Sequence, residues 1–164
     1  IAAHVEEISN ESGKSIAVTV FANPDAAADL RDELFPIVLH LVRHAADHGI
    51  DATGTIEINW FDAGDSWFFS VADDGGGIDV DAVRERAVAM GLISADESVN
   101  DESILRHIFV HGFSTASTVT KISGRGVGLD VVKTSVDALN GKISVKNRKN
   151  KGTIFAIAFP KESL

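Results

Sequence analysis

The order of apolar patterns along the chain is the feature that most narrowly limits its fold. Five segments have the apolar, β-branched or aromatic composition of strands, and four of them form two pairs joined by short turns rich in Asp, Asn, Lys and Gly. The predicted strands are residues 15–21, 55–61, 67–72, 142–147 and 153–159. Two close pairs indicate two hairpins, and therefore antiparallel pairing over most of a sheet.

Helical periodicity separates these strands without the regular strand–helix–strand alternation of a doubly wound nucleotide fold. The predicted helices are residues 5–12, 26–47, 80–90, 103–109 and 127–139. Pro36 must kink the second helix or mark its true start. This order predicts an α+β, two-layer sandwich, with a mostly antiparallel sheet and helices on one face. At 164 residues, we expect a single domain spanning residues 1–164.

Charge and composition exclude several classes of function. The formal net charge is −9 without a basic block, which argues against nucleic acid or an anionic membrane as a partner. The chain has no cysteine, so neither disulfides nor thiolate metal sites can form. It has no membrane-length apolar run and no signal-peptide pattern, so we expect a cytoplasmic location. Because it begins at Ile1, we expect it to be a piece of a longer protein.

Three glycines at alternate positions, Gly124, Gly126 and Gly128, directly precede the last predicted helix. A helix that starts behind such a loop points free N–H groups and the positive end of its dipole at the loop. Phosphate is the usual ligand there, and Arg125 and Lys133 add positive charge. Glycine-rich loops also serve as plain connectors, so the loop alone leaves both interpretations open.

A second glycine cluster follows the third predicted strand, at Asp73, Gly75 and Gly77. A carboxylate at a strand end can accept a hydrogen bond from an amine, while glycines let a flat ring lie against the backbone. Taken by itself, a solvated turn is the simpler explanation, because Asp and Gly favour turns everywhere.

A stripe of His40, His44, Asp47 and His48 runs along one edge of the apolar arc of the second helix. Two imidazoles one turn apart can share a metal, but three in a row cannot converge from a straight helix. An HExxH pattern is absent. Histidines along the edge of a groove therefore explain the stripe better than a zinc site does.

Two familiar nucleotide-binding signatures fail on spacing. The run Gly13-Lys14-Ser15 resembles the end of a Walker loop, whose first glycine would fall at position 8, where the chain has Ile8. The loop Gly124-x-Gly126-x-Gly128 lacks the G-x-G-x-x-G spacing of a dinucleotide fold, and no strand precedes it. Neither fold is predicted.

Four segments in order closely resemble the ATP-binding domain of CheA-type histidine kinases, members of the GHKL ATPase superfamily. They are LHLVRHAADHGID (39–51), VADDGGGID (71–79), FVHGFSTASTVTKISGRGVGLDVVK (109–133) and NKGTIFAIAFP (150–160). The resemblance implies a two-component, chemotaxis-like enzyme with ATP and Mg²⁺ as cofactors. The γ-phosphate of ATP would pass to a histidine on a separate phosphotransfer domain, in the same protein or in trans. Receptor-coupling and dimerisation domains would lie outside this chain.

The resemblance also assigns roles to individual residues, and these roles fall into four groups. Asp73 matches the residue that contacts the adenine amino group, with Gly75 and Gly77 at the pocket floor and Thr153 supporting the aspartate. Phe109 matches part of a lid over ATP. The rest of the lid is Phe113, Ser114 and Thr115. The phosphate loop and its flanking residues are Gly124, Arg125, Gly126, Val127, Gly128, Leu129 and Lys133. The motif for magnesium and phosphates contains His40, His44, Asp47 and His48.

One residue departs from the family pattern in the magnesium motif. Where the family has an asparagine that binds magnesium, this chain has His44. Magnesium prefers oxygen ligands in octahedral geometry, whereas imidazole is a softer nitrogen ligand. An active kinase and a degenerate, nucleotide-binding regulatory module (a pseudo-kinase) are therefore both open as functions of the chain.

Overall fold

The computed structural model describes residues 2–22, 31–113 and 128–163. A five-stranded mixed sheet with the strand order β1-β2-β3-β5-β4 forms its centre. The strands are β1 (Ser15–Ala22), β2 (Thr53–Asp62), β3 (Ser66–Asp73), β4 (Lys142–Arg148) and β5 (Gly152–Pro160). β1 pairs parallel to β2, and the other three pairings are antiparallel.

The register of the strands determines which side chains share a face of the sheet. Ile58 of β2 lies opposite Val71 of β3, which in turn lies opposite Phe155 of β5. All three side chains are at most 2% exposed, because the strand period of two keeps their row on the same, inner face. Glu57, one position away from Ile58, is exposed on the other face.

The chain divides into two compact units, Ile1–Ile78 with Ser135–Leu164, and Asp79–Thr134. The first unit contains the sheet. Its helices are α1 (Ala2–Ser12), α2 (Arg31–His44) with a π-helical turn at Ala45–Gly49, the end of α5 (Leu129–Ala138), and a 3₁₀ turn at Lys161–Ser163. Helix α2 buries Leu34, Ile37 and Leu41, and a Cβ at Gly141 would touch both Val136 and Phe159. These contacts place apolar helix faces over the inner face of the sheet.

The second unit is helical in its described part, and its helices begin at capping side chains. It contains α3 (Val80–Ala89), α4 (Asp101–Leu105), a 3₁₀ turn at Arg106–Phe109 and the start of α5. The Asp79 carboxylate accepts hydrogen bonds from the amides of Asp81 and Ala82, and the Asn100 side chain accepts one from Ser103. Such caps satisfy backbone N–H groups that a helix start otherwise leaves unpaired.

The structure confirms the predicted α+β class and locates every predicted strand within two residues of its observed ends. Three helices differ from expectation, and the first of them, predicted over residues 5–12, begins three residues earlier, at Ala2. The predicted helix 26–47 is α-helical over its described part only to His44 and closes in the π turn, while 103–109 divides into α4 and a 3₁₀ turn. Pro36 lies inside α2 and is exposed. Among the described residues, no helix has the length and hydrophobicity needed to span a bilayer.

Candidate functional site

Asp73 is a buried carboxylate at the C-terminal end of β3, only 4% exposed. Its Oδ1 accepts a hydrogen bond of 3.0 Å from the amide of Gly75, and the amide of Thr153 donates to the same carboxyl group. Burial raises the pKa of Asp73, and the charge of Asp74 adds to this, while the two amides and the charge of Arg148 oppose it. The carboxyl group is therefore fixed by backbone at a desolvated position.

The π turn after α2 packs directly against Asp73. The Gly49 carbonyl oxygen accepts a hydrogen bond of 3.0 Å from the Gly76 amide. A Cβ at Gly75 would stand 1.8 Å from that carbonyl oxygen, and a Cβ at Gly49 would stand 2.9 Å from Asp73 Oδ1. Only glycine at these two positions lets the turn and the strand end approach this closely.

Asn147 of β4 holds the segment after these glycines. Its Oδ1 accepts from the Ile78 amide at 2.8 Å, and its Nδ2 donates to the Ile78 carbonyl at 2.7 Å. Gly77 has φ +81°, and a Cβ there would meet Asn147 Oδ1 at 2.6 Å. The amide of Asn150 donates to the Gly76 carbonyl at 2.9 Å. The turn between β4 and β5 thus shapes the floor beside Asp73.

The His44 ring lies over the inner face of the sheet. It meets Phe155 edge-on, with 5.5 Å between ring centroids, and lies 5.0 Å from the His48 ring. Burial, with smaller contributions from His48 and His40, lowers the pKa of His44 to about 3. His44 is therefore a neutral, partly buried imidazole at physiological pH, whereas Asp47 and His48 of the same turn are exposed.

The side chain at the position that the sequence resemblance assigns to magnesium, His44, offers no oxygen ligand. Magnesium binds oxygen ligands at about 2.1 Å, and the residue at the family's ligand position offers an imidazole packed against Phe155. Within residues 2–22, 31–113 and 128–163, no three His, Cys, Asp or Glu side chains are grouped so that they could hold a metal ion.

The structure places the remaining predicted site residues in separate elements. Phe113 and Leu129 are buried in the helical unit, where Gly128 precedes α5 and Lys133 lies within it. Six residues lie outside the described ranges, namely Ser114, Thr115, Gly124, Arg125, Gly126 and Val127. Within the sheet unit, Asp73, Gly75 and Thr153 are in direct contact, with Gly77, Asp47 and His44 on the adjoining segments.

Two residues that position this site were not predicted from the sequence. Asn147 occupies an ordinary strand position, and nothing in its spacing singles it out. Lys14 was considered only as part of a Walker-like run, yet its ammonium group contacts the π turn. The strand register could have suggested Asn147, because it lies opposite Thr153, next to Asp73 on the inner face.

Comparison with known proteins agrees with this geometry. Residues 29–163 match the family described as histidine kinase-, DNA gyrase B-, and HSP90-like ATPase. The chain is 36% identical over 168 residues to the chemotaxis protein CheA of Rhizobium meliloti, covering 95% of this chain and 22% of that protein. It is 34% identical over 170 residues to CheA of Bacillus subtilis, covering 95% of this chain and 25% of that protein. The chain thus spans about a quarter of the length of these relatives.

A solved structure shares the fold across the whole chain. The catalytic domain of histidine kinase ThkA superimposes with a TM-score of 0.62 at 21% identity, covering 100% of this chain and 95% of that one. The matched residues 29–163 include Asp73, Gly75 and Thr153, the π turn and the β4–β5 turn. The chain belongs to the family of histidine kinase-, DNA gyrase B- and HSP90-like ATPases.

Proposed function

We propose that this chain is the ATP-binding domain of a CheA-like histidine kinase and that Asp73 contacts the adenine amino group. The observation that carries the proposal is the fixed Asp73 carboxyl group. Two backbone amides occupy two of the roughly four lone-pair positions of a carboxylate, so acceptor capacity remains for an amine. The chain's glycines at 49 and 75 keep side-chain carbons away from that carboxyl group.

The proposed reaction of the full-length protein is phosphoryl transfer to a histidine. The bond between the γ-phosphorus and the β–γ bridging oxygen breaks, a nitrogen–phosphorus bond forms on the acceptor imidazole, and the imidazole releases its proton. ADP leaves with the bridging oxygen. The acceptor would lie on a separate phosphotransfer domain, in the same protein or in trans, as the resemblance to CheA-type kinases implies. By the same resemblance, the phosphate loop Gly124–Gly128 with Lys133 would hold the phosphates, and the lid residues Phe113, Ser114 and Thr115 would close over ATP.

The second candidate is a nucleotide-binding regulatory module without kinase activity. The observation that favours it is the His44 imidazole, which is neutral and packed against Phe155 where the family has a magnesium-binding asparagine. In that case ATP or ADP would bind beside Asp73 and control a partner, and no phosphoryl group would be transferred.

Calorimetric titration of ATP into this domain, with and without magnesium, tests both proposals. Binding that magnesium strengthens supports the kinase, whereas equal binding without the ion supports the regulatory module. Absence of ATP binding would refute both.

The Asp73→Asn variant tests the site itself. The NH₂ group of the new Asn side chain is a donor, and it would face backbone amides that are donors themselves. We therefore expect the affinity for ATP to fall by at least about tenfold. Asp65→Asn, in the turn at the opposite end of β3, is the matched control and should leave the affinity unchanged. Equal ATP affinity in Asp73→Asn and Asp65→Asn would refute the adenine contact.

A further inference from the structure

Lys14 lies between α1 and β1 and directs its ammonium group at the π turn that follows α2. Gly13, with φ +67°, turns the chain after α1, and the Lys14 amide donates to the Ser9 carbonyl at 3.2 Å. Lys14 Nζ then donates to three carbonyl oxygens of the turn and its exit, those of Ala46 at 2.5 Å, Asp47 at 3.3 Å and Ile50 at 2.6 Å.

Two of these carbonyls, those of Ala46 and Asp47, are groups that a helix end leaves unpaired. The last turn of a helix exposes carbonyl oxygens and carries the negative end of the helix dipole. A lysine ammonium has three donors, which match three convergent acceptors, and its charge is favourable at that end. Lys14 thus closes the C-terminal end of the α2–π segment from a different part of the chain.

The turn that Lys14 holds is the one that packs on Asp73. Asp47 and Ile50, whose carbonyls accept from Lys14, flank His48 and Gly49. The Gly49 carbonyl accepts the Gly76 amide at 3.0 Å, and Gly75 approaches Gly49 more closely than any Cβ would permit. Movement of the turn by a fraction of an ångström would therefore move the segment that fixes the Asp73 carboxyl group.

We propose that Lys14 is a positioning residue for nucleotide binding, acting through Gly49 on the Asp73 side of the site. The inference rests on the proposed function for its ligand, but the positioning itself is a property of the unliganded chain. Because Lys14 acts on the adenine side, its loss weakens adenosine, ADP and ATP by the same factor. A lysine that touched phosphate directly would weaken ATP the most and adenosine the least.

The test compares Lys14→Met with Lys161→Met. Lys161 is a matched control, since its ammonium group also makes defined contacts, an ion pair with Asp62 at 2.7 Å and the Trp67 ring at 4.7 Å, at the opposite end of β2. We expect Lys14→Met to raise the dissociation constants of all three ligands about tenfold, a typical coupling between linked sites. Lys161→Met should leave them unchanged. Equal affinities in the two variants, or a loss that grows with each phosphate, would overturn the proposal.

Hydrogen exchange of the unliganded protein supplies the second measurement. The Gly76 amide is connected to Lys14 through the turn, because it donates to the Gly49 carbonyl. In Lys14→Met this amide should exchange faster than in the wild type and in Lys161→Met. Lys14→Arg keeps the charge but not the convergent geometry, and should fold and recover part of the protection. If the wild type binds no ATP, the proposed function fails while the exchange result still decides the positioning. Unchanged Gly76 exchange in both Lys14 variants would overturn it.

Discussion

The Asn147 side chain makes two hydrogen bonds to the backbone of Ile78, and replacing it with Asp changes one of the two atoms involved. This replacement should lower the stability more than removal of the side chain beyond Cβ. Oδ1 would still accept from the Ile78 amide, but the second oxygen would face the Ile78 carbonyl that now receives a hydrogen bond at 2.7 Å. The lost bond is worth about 1 kcal/mol, and the carbonyl left facing an oxygen costs about 1–3 kcal/mol more. We expect Asn147→Asp to lower the free energy of unfolding by about 2–4 kcal/mol. Asn147→Ala should lower it by about 1–3 kcal/mol.

Urea unfolding at pH 7.5 measures these differences as shifts of the midpoint at unchanged slope. Ser144→Ala on the same strand is the control, because its exposed hydroxyl makes only a 3.4 Å bond to Ala156, and it should change stability by less than about 0.5 kcal/mol. Between pH 7.5 and pH 4 the new carboxyl group gains a proton and can donate again, so the deficit of Asn147→Asp against the wild type should narrow. The reasoning would be refuted if Asn147→Asp lost less free energy of unfolding than Ser144→Ala, or if its loss did not change with pH.

Three further predictions concern the turn and its contacts. Gly75→Ala should destabilise the protein by about 1–3 kcal/mol in urea unfolding, because its Cβ would stand 1.8 Å from a backbone oxygen, whereas Gly76→Ala meets open space and should have little effect. His44→Asn supplies a carbonyl oxygen for magnesium, so calorimetry should show a larger gain in ATP affinity on adding the ion than in the wild type, and an equal gain would contradict the donor argument. Because the pKa of His44 falls from 6.5 to about 3 on folding, the unfolded chain binds the extra proton between those values and stability falls as pH is lowered through that window. From pH 7.5 to 5 the loss should be about 2 kcal/mol more than in His44→Asn, and identical pH curves would count against it.

The sequence predicted the strands well because their alternation is local. In β2, Ile56 and Ile58 alternate with polar residues, so the strand and its buried face follow from the same pattern. The parallel pairing of β1 with β2 was not specified, because it depends on how far α2 carries the chain before it returns. The helical periodicity of the sequence also did not predict the π turn at Ala45–Gly49, because carbonyls of this turn are satisfied by a tertiary contact from Lys14.

The candidate site was predictable where its chemistry lies in a contiguous motif. Asp73, Gly75 and Gly77 were assigned to the adenine site through the resemblance of residues 71–79 to CheA-type kinases, because their composition alone is equally typical of a solvated turn. Asn147 was not, because its role comes from pairing with Ile78, 69 positions away along the chain. The neutral state of His44 likewise depends chiefly on its burial against the sheet, where it packs on Phe155, and no helical wheel contains that contact.

The placement of the two tryptophans has a practical consequence for spectroscopy. Trp60 of β2 and Trp67 of β3 are diagonal neighbours, 6.4 Å apart between ring centroids, and Trp60 also meets Phe69 edge-on at 5.7 Å. The chain has no tyrosine, and residues 79–134 contain no tryptophan. Emission excited at 295 nm therefore reports the sheet alone, whereas far-ultraviolet circular dichroism also reports helices α3 and α4. Melting curves that coincide by both probes would show the two units losing structure as one, and separate curves would give each unit its own stability.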